Sequence, residues 1–105
     1  MFILMLRDRG VIDQAVFSFL IDVKNDRSKL LLGGYDLENM AAPGQDLTFH
    51  PVIQGASHWT LELSEIYIQT DKMHRFDYSE KPIKAIIDTG TSFMLMPKEE
   101  REQLL

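Results

Sequence analysis

The chain has 105 residues, enough for one small core but too few for a two-domain enzyme. Hydrophobic residues make up 45% of it and charged residues 26%, which is typical of a globular chain and excludes a disordered composition. The net charge of −5, without any cluster of Lys and Arg, argues against nucleic-acid partners, and the lack of cysteine excludes disulfides and Cys-based metal sites.

The N-terminal residues predict the end of a helix followed by a β-hairpin. Residues 1–9 are apolar and then charged, and Gly10 follows them, as is typical where a helix ends in a left-handed conformation. Residues 15–23 are rich in β-branched and aromatic side chains. Residues 25–28 (NDRS) have turn chemistry, so residues 29–32 are expected to form the returning strand.

The middle of the chain predicts a connection and then extended structure. Residues 35–45 contain Pro43 and Gly44, so we expect a polar connection there. Residues 46–53 (DLTFHPVI) resume an extended pattern. Pro51 interrupts this pattern and favours an edge or a bend, because proline has no backbone N–H to donate.

The clearest strand pattern lies at residues 58–69 (HWTLELSEIYIQ). Polar and apolar residues alternate, which predicts one half-buried strand with Trp59, Leu61 and Leu63 packing in the core. The charged residues 70–82 are expected to form an exposed loop or a hairpin tip.

A short motif near the C-terminus is the strongest functional signal. The apolar residues Ala85, Ile86 and Ile87 lead directly into Asp88-Thr89-Gly90-Thr91-Ser92, so a strand at residues 84–88 is expected to end in a carboxylate. Because a buried Asp is costly without partners, a segment this apolar predicts surrounding donors and a use for the charge. Thr89, Thr91, Ser92 and the backbone amides near Gly90 could supply these donors. A helix is expected to begin after Pro97, over residues 98–105.

The residue types in the motif suit a carboxylate that works on a peptide. Gly90 leaves room for a substrate backbone, and the Thr91 hydroxyl can donate to the carboxylate of Asp88. Because side chains alternate along a strand, Ile86 is expected on the same side as Asp88, as a wall of a cleft. Thr89 would face away. The plain alternative is that Asp88 is an ordinary turn residue after a strand.

The motif and the rest of the chain resemble the pepsin-like aspartic proteases (peptidase A1), in which an Asp-Thr-Gly-Thr run carries one of two catalytic aspartates. The resembling segments, in order, are VIDQAVFSFL (11–20), LLLGGYD (30–36), LTFHPV (47–52), HWTLELSEIYI (58–68) and AIIDTGTSFMLMP (85–97). The resemblance implies a mainly β, partial pepsin-like fold, part of a bilobal β-barrel protein. It assigns residues 1–40 to the end of the first lobe, 41–57 to the inter-lobe strand and connection, and 58–105 to the beginning of the second lobe.

The same resemblance implies roles for individual residues. Asp88 corresponds to the catalytic aspartate of the second lobe, and Thr89 to the threonine of an inter-lobe hydrogen-bond grip. The substrate contacts implied are Gly90, Thr91, Ser92, Ile86 and His58, the last at a position that often holds an aromatic residue lining the primed side of the cleft. Neither a cofactor nor a metal is expected, and His50, His58 and His74 lack ligand spacing.

The chain departs from the family pattern in ways that bear on activity. It has one Asp-Thr-Gly motif, and it lacks the flap and the later apolar-apolar-Gly element that supports the second aspartate. The expected function is therefore that of a fragment of an aspartic endopeptidase, inactive alone, whose partners are a protein or peptide substrate and the rest of the two-lobed protease. By resemblance the compartment would be secreted, lysosomal or vacuolar.

Three alternatives stay open from the sequence. The chain could be a truncated, non-catalytic product that binds peptide or pairs with another lobe. The motif is also similar to the first phosphate loop of actin-like ATPases and sugar kinases, although such loops open their domain. Two copies could pair as small retroviral proteases do, but those chains need a flap and a supporting helix after the motif.

Overall fold

The computed structural model describes all 105 residues, which form six short strands and three helices. Two compact units are present, Met1–Thr48 and Phe49–Leu105. Strands dominate the regular structure, which agrees with the predicted mainly β class. No helix combines the length and the hydropathy needed to cross a bilayer.

The first unit begins with helix α1 and continues as a hairpin, as predicted. Helix α1 spans Phe2–Asp8, and Gly10 follows it with a φ of 70°. Strands β1 (Phe17–Leu20) and β2 (Lys29–Leu32) pair antiparallel, with Phe17 opposite Leu32. Ile3 of α1 is a buried apolar side chain.

The turn of this hairpin is organised by one carboxylate. Asp22 accepts from the Asn25 backbone and side-chain amides at 3.2 and 2.9 Å, and from Arg27 Nε and Nη2 at 3.0 and 2.8 Å. These bonds, first that from the Asn25 side chain and then that from Arg27, hold the pKa of Asp22 below its ordinary value. The turn residues therefore act as a connected polar cluster.

The hairpin is closed at its other end by Gly33. Its N–H donates to the Val16 carbonyl at 2.6 Å, and its φ is +94°, in the region that favours glycine. A Cβ at this position would lie 2.9 Å from Ile12 Cγ2, so the backbone approaches Ile12 closely. By contrast, a Cβ on Gly34 would meet nothing within 4 Å.

The middle of the chain contains one short helix and no strand. The expected polar connection at residues 35–45 includes helix α2 (Leu37–Met40), which Asp36 caps by accepting from Asn39 N at 3.2 Å. The expected extended segment at residues 46–53 contains no strand. Its Ile53 N–H donates to the Thr60 carbonyl at 2.8 Å, and proline at position 51 removes a donor from any ladder here.

The second unit contains two antiparallel pairs of strands. Strand β3 (Thr60–Leu63) pairs with β6 (Ile83–Ile86), and β4 (Glu65–Gln69) pairs with β5 (Met73–Asp77).

The single strand predicted at residues 58–69 is therefore wrong, because Ser64 separates β3 and β4 into different sheets. The irregular residues 78–82 lie between β5 and β6, opposite this break, and the Tyr78 N–H donates to the Ser64 carbonyl at 2.7 Å.

Burial in the second unit follows this break and differs from the prediction at one aromatic residue. Phe76 is 7% exposed and Thr60 is 5% exposed, whereas Trp59, predicted to pack in the core, is 49% exposed. Trp59 precedes the first residue of β3, so it lies at the end of the paired strands, where its side chain is less covered than those within β3. Leu61 and Leu63 are half-buried, as the alternation indicates.

The charged segment at residues 70–82 is partly a loop and partly regular structure. Residues 70–72 form the exposed hairpin tip that was predicted, but β5 lies within the same segment. Arg75 of β5 forms ion pairs with Glu65 and Asp77, and its guanidinium lies 5.7 Å from the Tyr67 ring centre. Cross-strand partners therefore let this charged sequence form a strand.

Helix α3 (Lys98–Leu104) ends the chain, where a helix was predicted after Pro97. Tyr78 donates its hydroxyl proton to Glu100 Oε1 at 2.8 Å, which ties α3 to the residue that follows β5. The other carboxylate oxygen of Glu100 is buried and has no hydrogen-bond partner.

Candidate active site

Strand β6 brings the Asp-Thr-Gly-Thr motif to the end of the β3–β6 pair. The strand ends at Ile86, and the Ile87 N–H still donates to the Trp59 carbonyl at 2.9 Å, one residue beyond the paired segment. Asp88 is the next residue, at the point where the chain leaves the sheet and turns.

The turn surrounds the carboxylate of Asp88 with donors from its own motif. Gly90 N donates to Oδ1 at 2.9 Å, and Thr91 Oγ1 donates to Oδ2 at 2.5 Å. The Thr91 N–H also lies 3.4 Å from the Asp88 carbonyl oxygen, as in a tight turn. The expected donation from Thr91 is therefore present, and each carboxylate oxygen has a donor.

These donors favour the ionised form of the carboxyl group. The hydrogen bond from the Thr91 hydroxyl, then that from the Gly90 N–H, and then the charge of His58 hold the pKa of Asp88 below its ordinary value. Partial desolvation acts in the opposite direction and is outweighed.

Because Gly90 has no side chain, its backbone N–H can lie close to the Asp88 carboxylate. A Cβ on Gly90 would lie 3.2 Å from Asp88 Oδ1, tighter than ordinary van der Waals contact. Any larger residue would push against the oxygen that the Gly90 N–H binds. Glycine at this position therefore lets the backbone approach the carboxylate closely.

The prediction that Asp88 ends a buried strand is wrong. Asp88 is exposed, and β6 is half-buried on alternate residues, with Ile86 and Ile87 each 57% exposed. The physical reason is that β6 pairs only with β3 in a two-stranded sheet, which leaves its other edge uncovered. The three apolar residues before Asp88 indicated a strand correctly but overstated its burial.

The remaining predicted site residues lie around Asp88 without bonding to it. Thr89 and Ser92 are exposed, and their side chains make no hydrogen bond within the chain. His58 is exposed, and its Nδ1 lies 3.1 Å from Ser57 Oγ. Gly90 and Thr91 therefore form hydrogen bonds with Asp88, whereas His58 influences the pKa of Asp88 only through its charge.

Two features next to the motif were not predicted from the sequence. Ser57 contacts His58, a contact for which the adjacency of the two residues is the only signal in the sequence. Phe93, Met94 and Leu95 are 82%, 77% and 85% exposed, forming an apolar segment after the motif. No three His, Asp or Glu side chains lie together as metal ligands would.

Comparison with known proteins gives the family. Residues 2–105 match the eukaryotic aspartyl protease family. The chain is 33% identical to human Napsin-A over 98 residues, covering 90% of this chain and 21% of Napsin-A. It is 31% identical to mouse Napsin-A over 96 residues, covering 89% of this chain and 21% of that protein.

Rabbit gastricsin is 30% identical over 98 residues, covering 91% of this chain and 24% of gastricsin. No solved structure gave a significant match. The chain therefore spans about a fifth to a quarter of the length of these relatives. Since the family match extends over almost the whole chain, this protein belongs to the eukaryotic aspartyl proteases.

Proposed function

We propose that these 105 residues are part of an aspartic endopeptidase, in which Asp88 supplies one of two catalytic carboxylates. The observation that carries this proposal is the pair of hydrogen bonds from Thr91 Oγ1 and Gly90 N to the two oxygens of Asp88. The pair orients an exposed carboxylate and favours its ionised form.

The chemistry needs a second carboxyl group. An ionised carboxylate takes a proton from water while a protonated partner donates to the carbonyl oxygen of the peptide, and the water oxygen bonds to the carbonyl carbon. The C–N bond of the resulting diol then breaks as the nitrogen takes the proton that Asp88 received and a diol hydroxyl returns a proton to the partner carboxylate, leaving a carboxylic acid and an amine. With its lowered pKa, Asp88 suits the ionised role before water attacks.

The surrounding residues suit contacts with an extended peptide. Close backbone approach at Gly90, the open surface at Ile86 and Ser92, the hydroxyl of Thr91 and the ring of His58 would provide these contacts. Thr89, whose side chain has no partner within the chain, would form the grip to a facing lobe. Proteins and peptides are the proposed substrates, in a secreted, lysosomal or vacuolar setting.

The proposed partner is the remainder of a two-lobed protease. The relatives are four to five times longer than the segment they share with this chain, and one aspartate alone is insufficient for the chemistry. The apolar side chains of Phe93, Met94 and Leu95 support such a partner, because exposed apolar segments of this kind are commonly covered by another surface. The lobe assignment of residues 1–40, 41–57 and 58–105 is part of this proposal.

The experiment compares the 105-residue chain with a longer product of the same gene that carries a second Asp-Thr/Ser-Gly motif. Casein digestion is measured at about pH 4, near the ordinary pKa of Asp, with and without a statine peptide that mimics the transition state. The longer protein should digest casein and be inhibited by the statine peptide, whereas the 105-residue chain alone should not digest it.

The matched variants in the longer protein are Asp88→Asn and Asp71→Asn. Asp71 lies at the exposed β4–β5 hairpin tip, away from the motif. Asp88→Asn should reduce cleavage by at least about 100-fold, as expected for loss of an acid–base group, while Asp71→Asn should leave it unchanged. Full activity of Asp88→Asn would refute the proposed role.

A non-catalytic, lobe-pairing product is the second candidate, and the exposed segment at Phe93–Leu95 is the observation that favours it. It predicts that no longer gene product digests casein, while the backbone amides of residues 93–95 still exchange more slowly in the longer protein than in this chain. The phosphate-loop alternative has no support, since the family match lies with the proteases.

A further inference from the structure

The pairing of β3 with β6 brings a histidine near the motif carboxylate. Thr60 lies opposite Ile86 in this pair. The bond from Ile87 N to the Trp59 carbonyl continues the same register by one residue. His58 and Asp88 are the next residues along the two chains, so each lies adjacent to this bonded pair.

The side chain of His58 also contacts the residue that precedes it in the chain. Its Nδ1 lies 3.1 Å from Ser57 Oγ, so a protonated ring can donate its Nδ1–H to that hydroxyl oxygen. His58 is exposed, so the ring exchanges protons with solvent readily.

The other charges of the two strands lie further away. Glu62 and Lys84 form a register pair, four residues along each strand from His58 and Asp88. Four residues of strand correspond to about 13 Å, beyond the screening length of about 10 Å at moderate salt. On the turn itself, Asp88 meets hydrogen-bond donors without charge, from Gly90 and Thr91. His58 is therefore the cation that acts on Asp88.

We infer that His58 is a positioning residue for Asp88, whose positive charge adds to the hydrogen bonds from Thr91 and Gly90 in favouring the ionised carboxylate. The lowered pKa of Asp88, to which the charge of His58 contributes, agrees with this geometry. An effect on peptide cleavage would rest on the proposed function, but the coupling of the two charges does not.

The test is an NMR titration of the 105-residue chain, following the side-chain carboxyl carbon of Asp88 against pH. His58→Gln removes the charge, and His58→Arg keeps a positive charge at every pH. We expect the Asp88 midpoint to rise in His58→Gln and to stay at or below the unmodified value in His58→Arg. His74→Gln, on β5 in the other sheet, is the matched control and should leave the midpoint unchanged.

A second measurement distinguishes the effect of the His58 charge on the Asp88 midpoint from the effect of the size and shape of its side chain. The difference in midpoint between His58→Gln and the unmodified chain should shrink when salt rises from about 0.01 M to about 1 M, because the screening length falls from about 30 Å to about 3 Å. Equal midpoints in the Gln and Arg variants, or an unchanged midpoint in His58→Gln, would overturn the inference. Since the titration needs no peptide cleavage, its failure is distinct from failure of the proposed function.

Discussion

Replacing Gly33 by Ala should destabilise the first unit much more than the same change at the neighbouring Gly34. Gly33 has a φ of +94°, and a new Cβ would lie 2.9 Å from Ile12 Cγ2 and 3.0 Å from Ile12 Cβ. The left-handed conformation costs a residue with a Cβ about 1–2 kcal/mol. Crowding against a branched side chain adds about 1–3 kcal/mol.

The expected loss is therefore about 2–5 kcal/mol, a fall in Tm of at least about 8 °C if the unit unfolds as a small domain. Gly34→Ala should change stability by less than about 0.5 kcal/mol, since its Cβ would meet nothing within 4 Å. The assay follows the β1–β2 amides by NMR during thermal and urea unfolding of both variants. Equal unfolding midpoints for the two variants would show that neither the backbone conformation nor the contact with Ile12 limits stability.

Three further changes test the motif, the hairpin turn and the core. Thr91→Val should raise the pKa of Asp88, because the hydroxyl that favours the ionised form is lost; carboxyl-carbon NMR measures this, and Ser92→Ala, which removes no bond to Asp88, should have no effect. The pKa of Asp22 is lowered by folding, so its contribution to stability is present above the ordinary pKa of Asp and is lost as pH falls through the folded value. The NMR signals of the Asn25 amides and of Arg27 Nε, which bond to Asp22, should therefore shift on acidification; Asp22→Asn should remove most of that shift, whereas Asp13→Asn, at an exposed residue before β1, should not. Phe76→Ala should cost about 3–5 kcal/mol in urea unfolding, while Met73→Ala on the same strand, 58% exposed, should cost far less; similar losses would mean that Phe76 is not a core residue.

Local patterns predicted most of the first unit. The Asn25–Ser28 turn between two apolar runs indicated the hairpin, and Gly10 marked the end of α1. Helix α2 was missed because it is four residues long, and its strongest signal is the single cap at Asp36. Signals this short are ambiguous, since Asp begins turns as often as it caps helices.

In the second unit, the alternation of polar and apolar residues did not reveal which strands pair with each other. The pattern at residues 58–69 continues through Ser64, whereas the structure changes partner strand there. Partner choice depends on residues 73–86, which are distant in sequence, so periodicity within one segment does not reveal it. The same holds for the proximity of Trp59 and Ile87, the residues next to His58 and Asp88, which depends on the register of two strands.

The donors at Asp88 were more predictable because they lie within three residues of it. Of the expected donors, the Thr91 hydroxyl and the Gly90 N–H contact the carboxylate, whereas the Thr89 and Ser92 hydroxyls do not. Its exposure was not foreseen, because burial depends on how many strands flank β6. The roles proposed for Thr89, Ser92, Ile86 and His58 toward substrate or a facing lobe stay predictions.

The break at Ser64 has a consequence for the order in which the second unit folds. Strands β4 and β5 are joined by three residues, so they can pair with little loss of chain entropy. Once β4 and β5 have paired, the hydrogen bond from Tyr78 N to the Ser64 carbonyl brings the segments next to β3 and β6 close to each other. The effective loop that β3 and β6 must close is then much shorter than the sequence between them. We therefore expect β4 and β5 to pair before β3 and β6 bring Asp88 to its turn.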